Sequence, residues 1–216
     1  MHTYMFKRFF HISIFLLLIG LFIEGCGSST EVCSIDSNAN YCNSKAHYTV
    51  LVDNRVSDSH KSLICKALSE WNVKTNGALN YTIQYVNMSF VPNDLSGNKD
   101  TIKVFFTDLG EKYWGWTEWN VQGNRARVLF TFDLTDEQFY PVALHEFGHA
   151  FHLAHYKGPY KSVMHPYIGN TNKLECADLR AFCAEWGCQI DCDVELISNY
   201  KSDMDKENVC LSLEVK

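Results

Sequence analysis

The stretch of sequence that decides the fold is His145-Glu146-Phe147-Gly148-His149-Ala150-Phe151-His152-Leu153-Ala154-His155. On a helix, His145 and His149 lie four positions apart, so both imidazoles leave the same face, and Glu146 lies beside them. His155 follows six positions after His149, where a further helical turn and a bend bring a third imidazole toward the first two. The sequence therefore predicts that His145, His149 and His155 bind one metal ion.

This ligand set is typical of a catalytic zinc ion. Three neutral imidazoles leave the fourth position of Zn2+ to water, and zinc lowers the pKa of that water from about 15.7 to about 7. A nearby carboxylate can then take the proton and produce a nucleophile for a peptide carbonyl. Glu146 is the predicted general base.

A second segment narrows the interpretation. The HExxH pattern alone also occurs as two surface histidines around a solvated glutamate. Here His155 is followed, seven residues later, by the segment Ser-Val-Met-His-Pro-Tyr at positions 162–167. With these residues the chain resembles the metzincin clan of zinc endopeptidases, most closely its matrixin-like members, in which HExxHxxGxxH precedes a tight turn with a methionine beneath the metal.

The resemblance implies a fold and several roles. The implied fold is α+β and zincin-like: a twisted, mixed five-stranded sheet with a backing helix, an active-site helix and a C-terminal helix. Met164 would be the methionine of the Met-turn, and Pro166 and Tyr167 would form the wall of the pocket for the residue after the scissile bond. The alternatives are a core methionine at 164, a transition-state donor at Tyr167, and a packed or solvated turn histidine at His165.

One position departs from the family pattern. His152 stands where the motif has a glycine, whose role is to let the helix end at positive φ. Histidine enters the left-handed region more readily than most side chains, so the bend is feasible with a strain of about 1 to 2 kcal/mol. A rival arrangement has the helix running straight on, with His152 or Glu175 as the third ligand.

The predicted elements alternate between strands and helices. Strands are expected at 47–56, 79–88 and 101–107, and a hairpin at 113–119 and 125–132. Helices are expected from Ser57 or Asp58 to about Asn72, over 136–150 and over 174–186. Pro141 suggests that the regular part of the second helix starts near Tyr140 or bends there.

The first hairpin strand has a predicted role in substrate binding. By the same resemblance it would be the antiparallel edge strand along the rim of the cleft, where an extended peptide can add as a further strand. Its tryptophans, Trp114, Trp116 and Trp119, are expected partly in the core and partly facing outward or toward substrate. A carbohydrate-stacking platform is the alternative.

The ends of the chain predict export. Residues 1–25 carry Lys7 and Arg8 before an apolar run and read as a signal peptide; residues 26–45 read as a polar linker or short pro-segment. The catalytic domain is expected over 46–187, followed by a cysteine-rich tail over 188–216. Ile23-Glu24-Gly25-Cys26 resembles a bacterial lipoprotein cleavage box, so the protein is either attached to a membrane through a lipidated Cys26 or secreted.

Cysteine usage agrees with an oxidising compartment. After Cys26 the chain has an even set of cysteines that suits four disulfides: Cys33, Cys42, Cys65, Cys176, Cys183, Cys188, Cys192 and Cys210. A pairing of Cys33 with Cys42 and bridges within the tail are expected. The spacing lacks the CxxC pairs of a structural zinc site.

Charge and length argue against a nucleic-acid-binding protein and for a single domain. The chain has 19 basic and 25 acidic residues and a net charge of −6 at pH 7, without a basic stripe, so nucleic acid is not expected as a partner. The length after residue 45 suits one compact domain, expected as a monomer. Calcium occurs in many family members, but no loop here is dense enough in oxygen ligands to assign to it.

The predicted function is that of an exported zinc endopeptidase that binds a protein or peptide as an extended strand. The alternatives are a non-catalytic lipoprotein on a metzincin scaffold and a zinc hydrolase of a non-protein amide. Latency is a separate hypothesis, in which Cys33, Cys42 or Asp36 of the polar segment reaches the metal and displaces its water.

Overall fold

The computed structural model describes residues 46–91, 94–120, 122, 124–167 and 171–188, and the backbone of a strand at Cys210–Glu214. Several predictions therefore lie outside the described residues. These are the signal peptide, the lipidated Cys26, the segment 26–45 with its Cys33–Cys42 pairing and its latency ligands, and the tail from 189 to 209.

The chain forms a mixed sheet with three helices. The elements in order are β1 (Ala46–Asp53), α1 (Asp58–Lys74), β2 (Leu79–Val86), β3 (Thr101–Phe106), β4 (Tyr113–Asn120), β5 (Arg125–Phe130), α2 (Asp136–Ala150), α3 (Cys176–Trp186) and β6 (Cys210–Glu214). The five predicted strands and the backing, active-site and C-terminal helices are all present, with ends that differ by a few residues. The predicted α+β class is confirmed.

The sheet has the order β2-β1-β3-β5-β4-β6. The strands β2, β1, β3 and β5 run parallel to one another, whereas β4 runs antiparallel to β5. The prediction that β4 is an open edge strand was wrong, because β6 pairs with its outer side, antiparallel. Residues 188–216 are predicted as a cysteine-rich tail, and their segment Cys210–Glu214 adds a sixth strand to the sheet.

Helix α2 begins earlier than its proline suggested. The Thr135 hydroxyl accepts a hydrogen bond from the Gln138 N–H, and the Gln138 side chain accepts one from the Thr135 N–H, which is a capping box. This cap starts the helix at Asp136, so the expectation of a start near Tyr140 was wrong. Pro141 lies inside the helix.

The core encloses α2 from several sides. Trp71 of α1 is fully buried, and its indole N–H donates to the Leu144 carbonyl of α2 at 3.0 Å. Phe130 of β5 packs edge-on against Phe139, with ring centroids 4.7 Å apart. Every residue of α2 from Val142 to Ala150 is buried, which includes His145, Glu146 and His149. A helix buried all round carries polar side chains only where they have a partner or a function.

The described cysteines contradict a complete set of four disulfides. Cys65 of α1 and Cys188, which follows α3, are both disulfide-bonded. Cys176, half-buried at the start of α3, is a free thiol. The eight cysteines after Cys26 are therefore not all paired.

None of the helices among the described residues combines the length and the apolar character that a membrane span requires.

Candidate metal centre

The structure brings the three predicted ligands together. The Nε2 atom of His145 lies 2.9 Å from Nε2 of His149 and 3.2 Å from Nε2 of His155. One ligand atom from each of the three residues fits within 4.8 Å of the others. His145 and His149 are buried and His155 is half-buried, so the cluster lies at the floor of the site rather than on an open surface.

A left-handed residue directs the chain from α2 toward the third histidine. Helix α2 ends at Ala150, and His152 has a φ of 72°, the conformation that the motif glycine normally supplies. The Leu153 N–H then donates to the Gly148 carbonyl at 3.0 Å, which closes the end of the helix. The chain reverses there and returns His155 to the face occupied by His145 and His149.

The rival third ligands are engaged elsewhere. The His152 ring stacks on Trp186, with centroids 6.2 Å apart, and it does not belong to the imidazole cluster. Glu175 immediately precedes α3, and its carboxylate accepts a hydrogen bond from the Thr171 hydroxyl at 3.0 Å. Neither residue is placed to complete the set.

The tautomers of the two helical histidines are fixed by backbone carbonyls. Nδ1 of His145 lies 2.6 Å from the Val163 carbonyl, and Nδ1 of His149 lies 2.6 Å from the Leu153 carbonyl. A carbonyl only accepts, so each Nδ1 carries the proton and each Nε2 presents a lone pair. Burial lowers the pKa of His145 to about 3 and the pKa of His149 well below its usual value, so both rings are neutral.

This arrangement fits a bound cation. Two Nε2 atoms that only accept hydrogen bonds cannot bond to each other, although they lie 2.9 Å apart. A divalent ion accepts both lone pairs, and a neutral imidazole is the form in which histidine binds zinc. His145, His149 and His155 would hold that ion.

Glu146 follows His145 on α2, and its two carboxylate oxygens are in different situations. Oε2 accepts a hydrogen bond from the Thr117 hydroxyl of β4 at 2.6 Å, whereas the buried Oε1 has no hydrogen-bond partner. Burial raises the pKa of Glu146 to about 8, and the Thr117 hydrogen bond opposes that rise. A Cβ atom at Gly115 would overlap the Glu146 carboxylate, so the close approach of β4 to the helix requires a glycine there.

Met164 lies directly under α2. It is buried, and a Cβ atom at Gly148 would overlap its Sδ atom, so Gly148 lets the helix rest on this turn. The Tyr156 N–H donates to the Met164 carbonyl at 2.7 Å, which joins the turn to the segment that follows His155. Pro166 and Tyr167 come next and are half-buried.

His165, between Met164 and Pro166, is a turn residue rather than a member of the imidazole cluster. The Tyr167 N–H donates to its Nδ1 at 3.3 Å.

Asp178 of α3 holds the turn at residues 162–164 in place. Its buried carboxylate accepts hydrogen bonds from the Ser162 hydroxyl at 2.5 Å and from the N–H groups of Val163, Met164 and Glu175 at 3.1, 3.2 and 2.9 Å. Since the Val163 carbonyl fixes His145, Asp178 acts on a ligand through one residue. Burial raises the pKa of Asp178, and these hydrogen bonds oppose the rise.

Sequence reasoning missed four of these residues. Asp178 had a signal, since it is an acid within the apolar repeat of its helix, and such a residue is buried with partners. Thr117 and Gly115 share the period-2 face of β4 with the buried Trp119, a weaker signal. Gly148 lies within the HExxH pattern, and the need for a glycine there follows only from its contact with Met164.

No family model matches the sequence, and no curated protein matches it. Among solved structures, the structure of myroilysin has a TM-score of 0.44 and 15% sequence identity to this chain, over 67% of this chain and 94% of that chain. A likeness at this level assigns neither a family nor an activity, and the side chains of the site carry the functional conclusion.

A matched pair of substitutions tests the turn at His152. His152→Ala and His152→Gly both remove the stacked ring and differ only in the Cβ atom. Because a φ of 72° is strained for a residue with a Cβ atom, we expect the glycine variant to be more stable by about 1 kcal/mol. Urea unfolding of the two metal-free variants measures the difference. Equal stability would show that the left-handed turn does not exist.

Loss of Asp178 should loosen the turn at residues 162–164. In Asp178→Ala the Ser162 hydroxyl and the N–H groups of Val163 and Glu175 lose their acceptor inside the protein, whereas the Met164 N–H keeps the Ser162 oxygen at 3.0 Å. We expect the free energy of unfolding to fall by about 3 kcal/mol or more. Asp178→Asn keeps one acceptor oxygen and should lose less. Chemical unfolding together with zinc content checks both variants; an alanine variant as stable as the parent would contradict this role.

Proposed function

We propose that this protein is a zinc-dependent endopeptidase of the matrixin-like type. The observation that carries the proposal is the cluster of three imidazoles, two of them fixed as neutral acceptors, next to a carboxylate whose Oε1 has no partner. Structural zinc sites are closed by four protein ligands, whereas a set of three leaves a position for water or substrate. A carboxylate adjacent to that position is what hydrolysis requires.

The chain's own residues perform the steps around the ion. Zinc, when bound by the three histidines, supplies a Lewis acid and lowers the pKa of water to about 7. Glu146 accepts the water's proton on Oε1 and later delivers it to the leaving amine, so that one carboxylate serves as base and then as acid. The Val163 and Leu153 carbonyls keep His145 and His149 oriented throughout. Trp119, which stacks against His149 at 6.0 Å, excludes water from one side.

The proposed substrate is an extended protein or peptide segment. β4 is the strand that touches Glu146, through Thr117, so a peptide bond brought to Glu146 would run along β4. Main-chain pairing of this kind supplies hydrogen bonds without demanding a particular sequence. Pro166 and Tyr167 are proposed as the wall of the pocket for the residue after the scissile bond.

Export is part of the proposal. The disulfide-bonded Cys65 and Cys188 support an oxidising compartment. We propose secretion or attachment to a membrane through Cys26, with one copy of the chain as the active unit.

A second candidate is a zinc hydrolase of a non-protein amide, such as an amide linked to a glycan. The observation in its favour is that Trp114 and Trp116 of β4 are only half-buried, whereas Trp119 is buried. Half-exposed indoles offer stacking surface to a sugar ring. Digestion of casein and of glycan-linked amides, each with and without a chelator, separates the two candidates and also the non-catalytic alternative.

Substitution of the base and of one ligand tests the mechanism. In Glu146→Gln the side chain keeps its shape but cannot accept the proton, so zinc should remain bound while kcat/KM for a peptide falls about 10³-fold or more. In His155→Ala both zinc content and activity should fall, because two protein ligands remain. Zinc analysis and peptide cleavage by mass spectrometry provide the readouts.

The matched control is Glu137→Gln, which changes an exposed glutamate in the first turn of the same helix and should leave both quantities unchanged. Full peptide cleavage by the Glu146→Gln variant would refute the mechanism. Full zinc and full activity in the His155→Ala variant would refute the ligand set.

A further inference from the structure

The first inference concerns what holds the general base, and it rests on the proposed function. Thr117 has no exposed surface, and its hydroxyl lies 2.6 Å from Oε2 and 3.1 Å from the main-chain carbonyl of Glu146. A hydroxyl has one proton to donate, and the shorter contact, to the Glu146 side chain, takes it. The remaining carboxylate oxygen, Oε1, has no partner.

The two carboxylate oxygens of Glu146 are therefore held differently. A glutamate side chain rotates about its last torsion with little preference, and in a buried site it has to be held by its neighbours. Thr117 is itself fixed, because β4 pairs antiparallel with β5 and places Thr117 opposite Val128. The Thr117 hydroxyl therefore anchors Oε2 to the sheet and leaves Oε1 without a hydrogen bond of its own.

We propose that Thr117 is a positioning residue for the reaction, acting through Glu146. Its side chain contacts Glu146 and does not belong to the imidazole cluster, so its loss should change the rate of turnover and leave zinc binding and the main-chain pairing of a substrate with β4 intact. A threonine that only filled space in the core would instead change stability.

The test uses the holoenzyme and two substitutions. Thr117→Val has nearly the shape of threonine without the hydroxyl, whereas Thr117→Ser keeps the hydroxyl and loses a methyl group. We expect kcat of the valine variant to fall about 10- to 100-fold, as for loss of a hydrogen bond to a charged group, with zinc content and KM unchanged. The serine variant should recover most of the rate although its packing is poorer.

Thr101→Val, a buried threonine of β3, is the control for removing a buried hydroxyl and should leave kcat unchanged. A Thr117→Val variant with the parental kcat would overturn the inference. So would a Thr117→Ser variant as slow as Thr117→Val, since packing would then explain the loss. Absence of peptide cleavage by the zinc-loaded parent would overturn the proposed function itself, a result distinct from either of these.

A second, independent observation concerns access to the same site. Strand β6 pairs antiparallel with β4 in a register that places residues 213 and 211 opposite Gly115 and Thr117, and β6 also contacts α2. These are the two β4 positions that approach the Glu146 carboxylate. The C-terminal strand thus follows the path along β4 that an extended peptide needs in order to reach the base.

The complete burial of Glu146 and His149 agrees with occupation of the outer side of β4 by β6. Neither Glu146 nor His149 has any exposed surface, so a peptide cannot touch the base while the chain keeps this arrangement. A strand edge has one row of free main-chain groups, and a substrate cannot pair with β4 on the side where β6 already does. One segment has to leave before the other can bind.

We infer that β6 is an internal occupant of the substrate edge, which holds the enzyme in a low-activity form until β6 is displaced or removed. This inference also rests on the proposed function. It predicts competition between β6 and any extended substrate, with no change in the metal ligands.

Two truncations test the occupancy. Removing residues 210–216 deletes β6, whereas removing only residues 215–216 leaves the strand intact. We expect the longer deletion to raise kcat/KM for a peptide at least about 10-fold at unchanged zinc content. A synthetic peptide of residues 207–216 carrying Cys210→Ser, added to the longer deletion, should inhibit competitively, and a scrambled peptide should not. Equal kcat/KM in the two truncations would overturn the inference.

A measurement on the full chain covers the case in which the longer deletion does not fold. Saturating a zinc-loaded full-length protein with a peptide hydroxamate should increase amide hydrogen exchange within 210–214 while β4 stays protected, because the inhibitor replaces β6 on β4. Unchanged exchange at 210–214 in the saturated complex would overturn the inference. If the hydroxamate does not bind and no truncation cleaves peptides, the proposed function fails instead.

Discussion

The constraint on which the rest of the structure depends is the approach of two imidazole lone pairs to 2.9 Å inside a buried helix. Nε2 of His145 and Nε2 of His149 both accept, so their contact is favourable only with a cation between them and His155. Burial serves this requirement because it keeps the rings neutral, and neutral rings are the form that binds zinc. A buried helix bearing two histidines and a glutamate would otherwise be a poor core element.

The surrounding elements position the three histidines and Glu146 and contribute no further member to the cluster. His152 turns the chain back at positive φ, so His155 arrives on the same face as the helical pair. Asp178 fixes the turn that carries Val163, whose carbonyl orients His145. On the opposite side, β4 contributes Thr117 to the carboxylate of Glu146. His145 and Glu146 are thus held from separate elements, α3 with its turn and the sheet, and each can be perturbed without the other.

The sequence predicted the fold and the site unequally, for physical reasons. Spacing within a helix is local, so His145, Glu146 and His149 followed from position alone, and the left-handed tendency of histidine explained how His152 can stand for glycine. Contacts between distant segments leave weaker traces. Asp178 was visible only as an acid in an apolar repeat, and Thr117 as one of several buried positions of β4. The pairing of β6 with β4 was not foreseen, because a five-residue strand after a cysteine-rich tail carries little periodic signal, and this pairing overturned the expectation of an open edge.

Zinc K-edge X-ray absorption of the loaded protein tests the central claim most directly, since it counts the ligands around the ion. The three converging imidazoles predict a first shell with three histidine nitrogens and one additional light atom in the parent protein, with the histidine signal reduced by one third in His155→Ala. A sulfur ligand in the parent, or an unchanged histidine signal in the His155→Ala variant, would contradict the account.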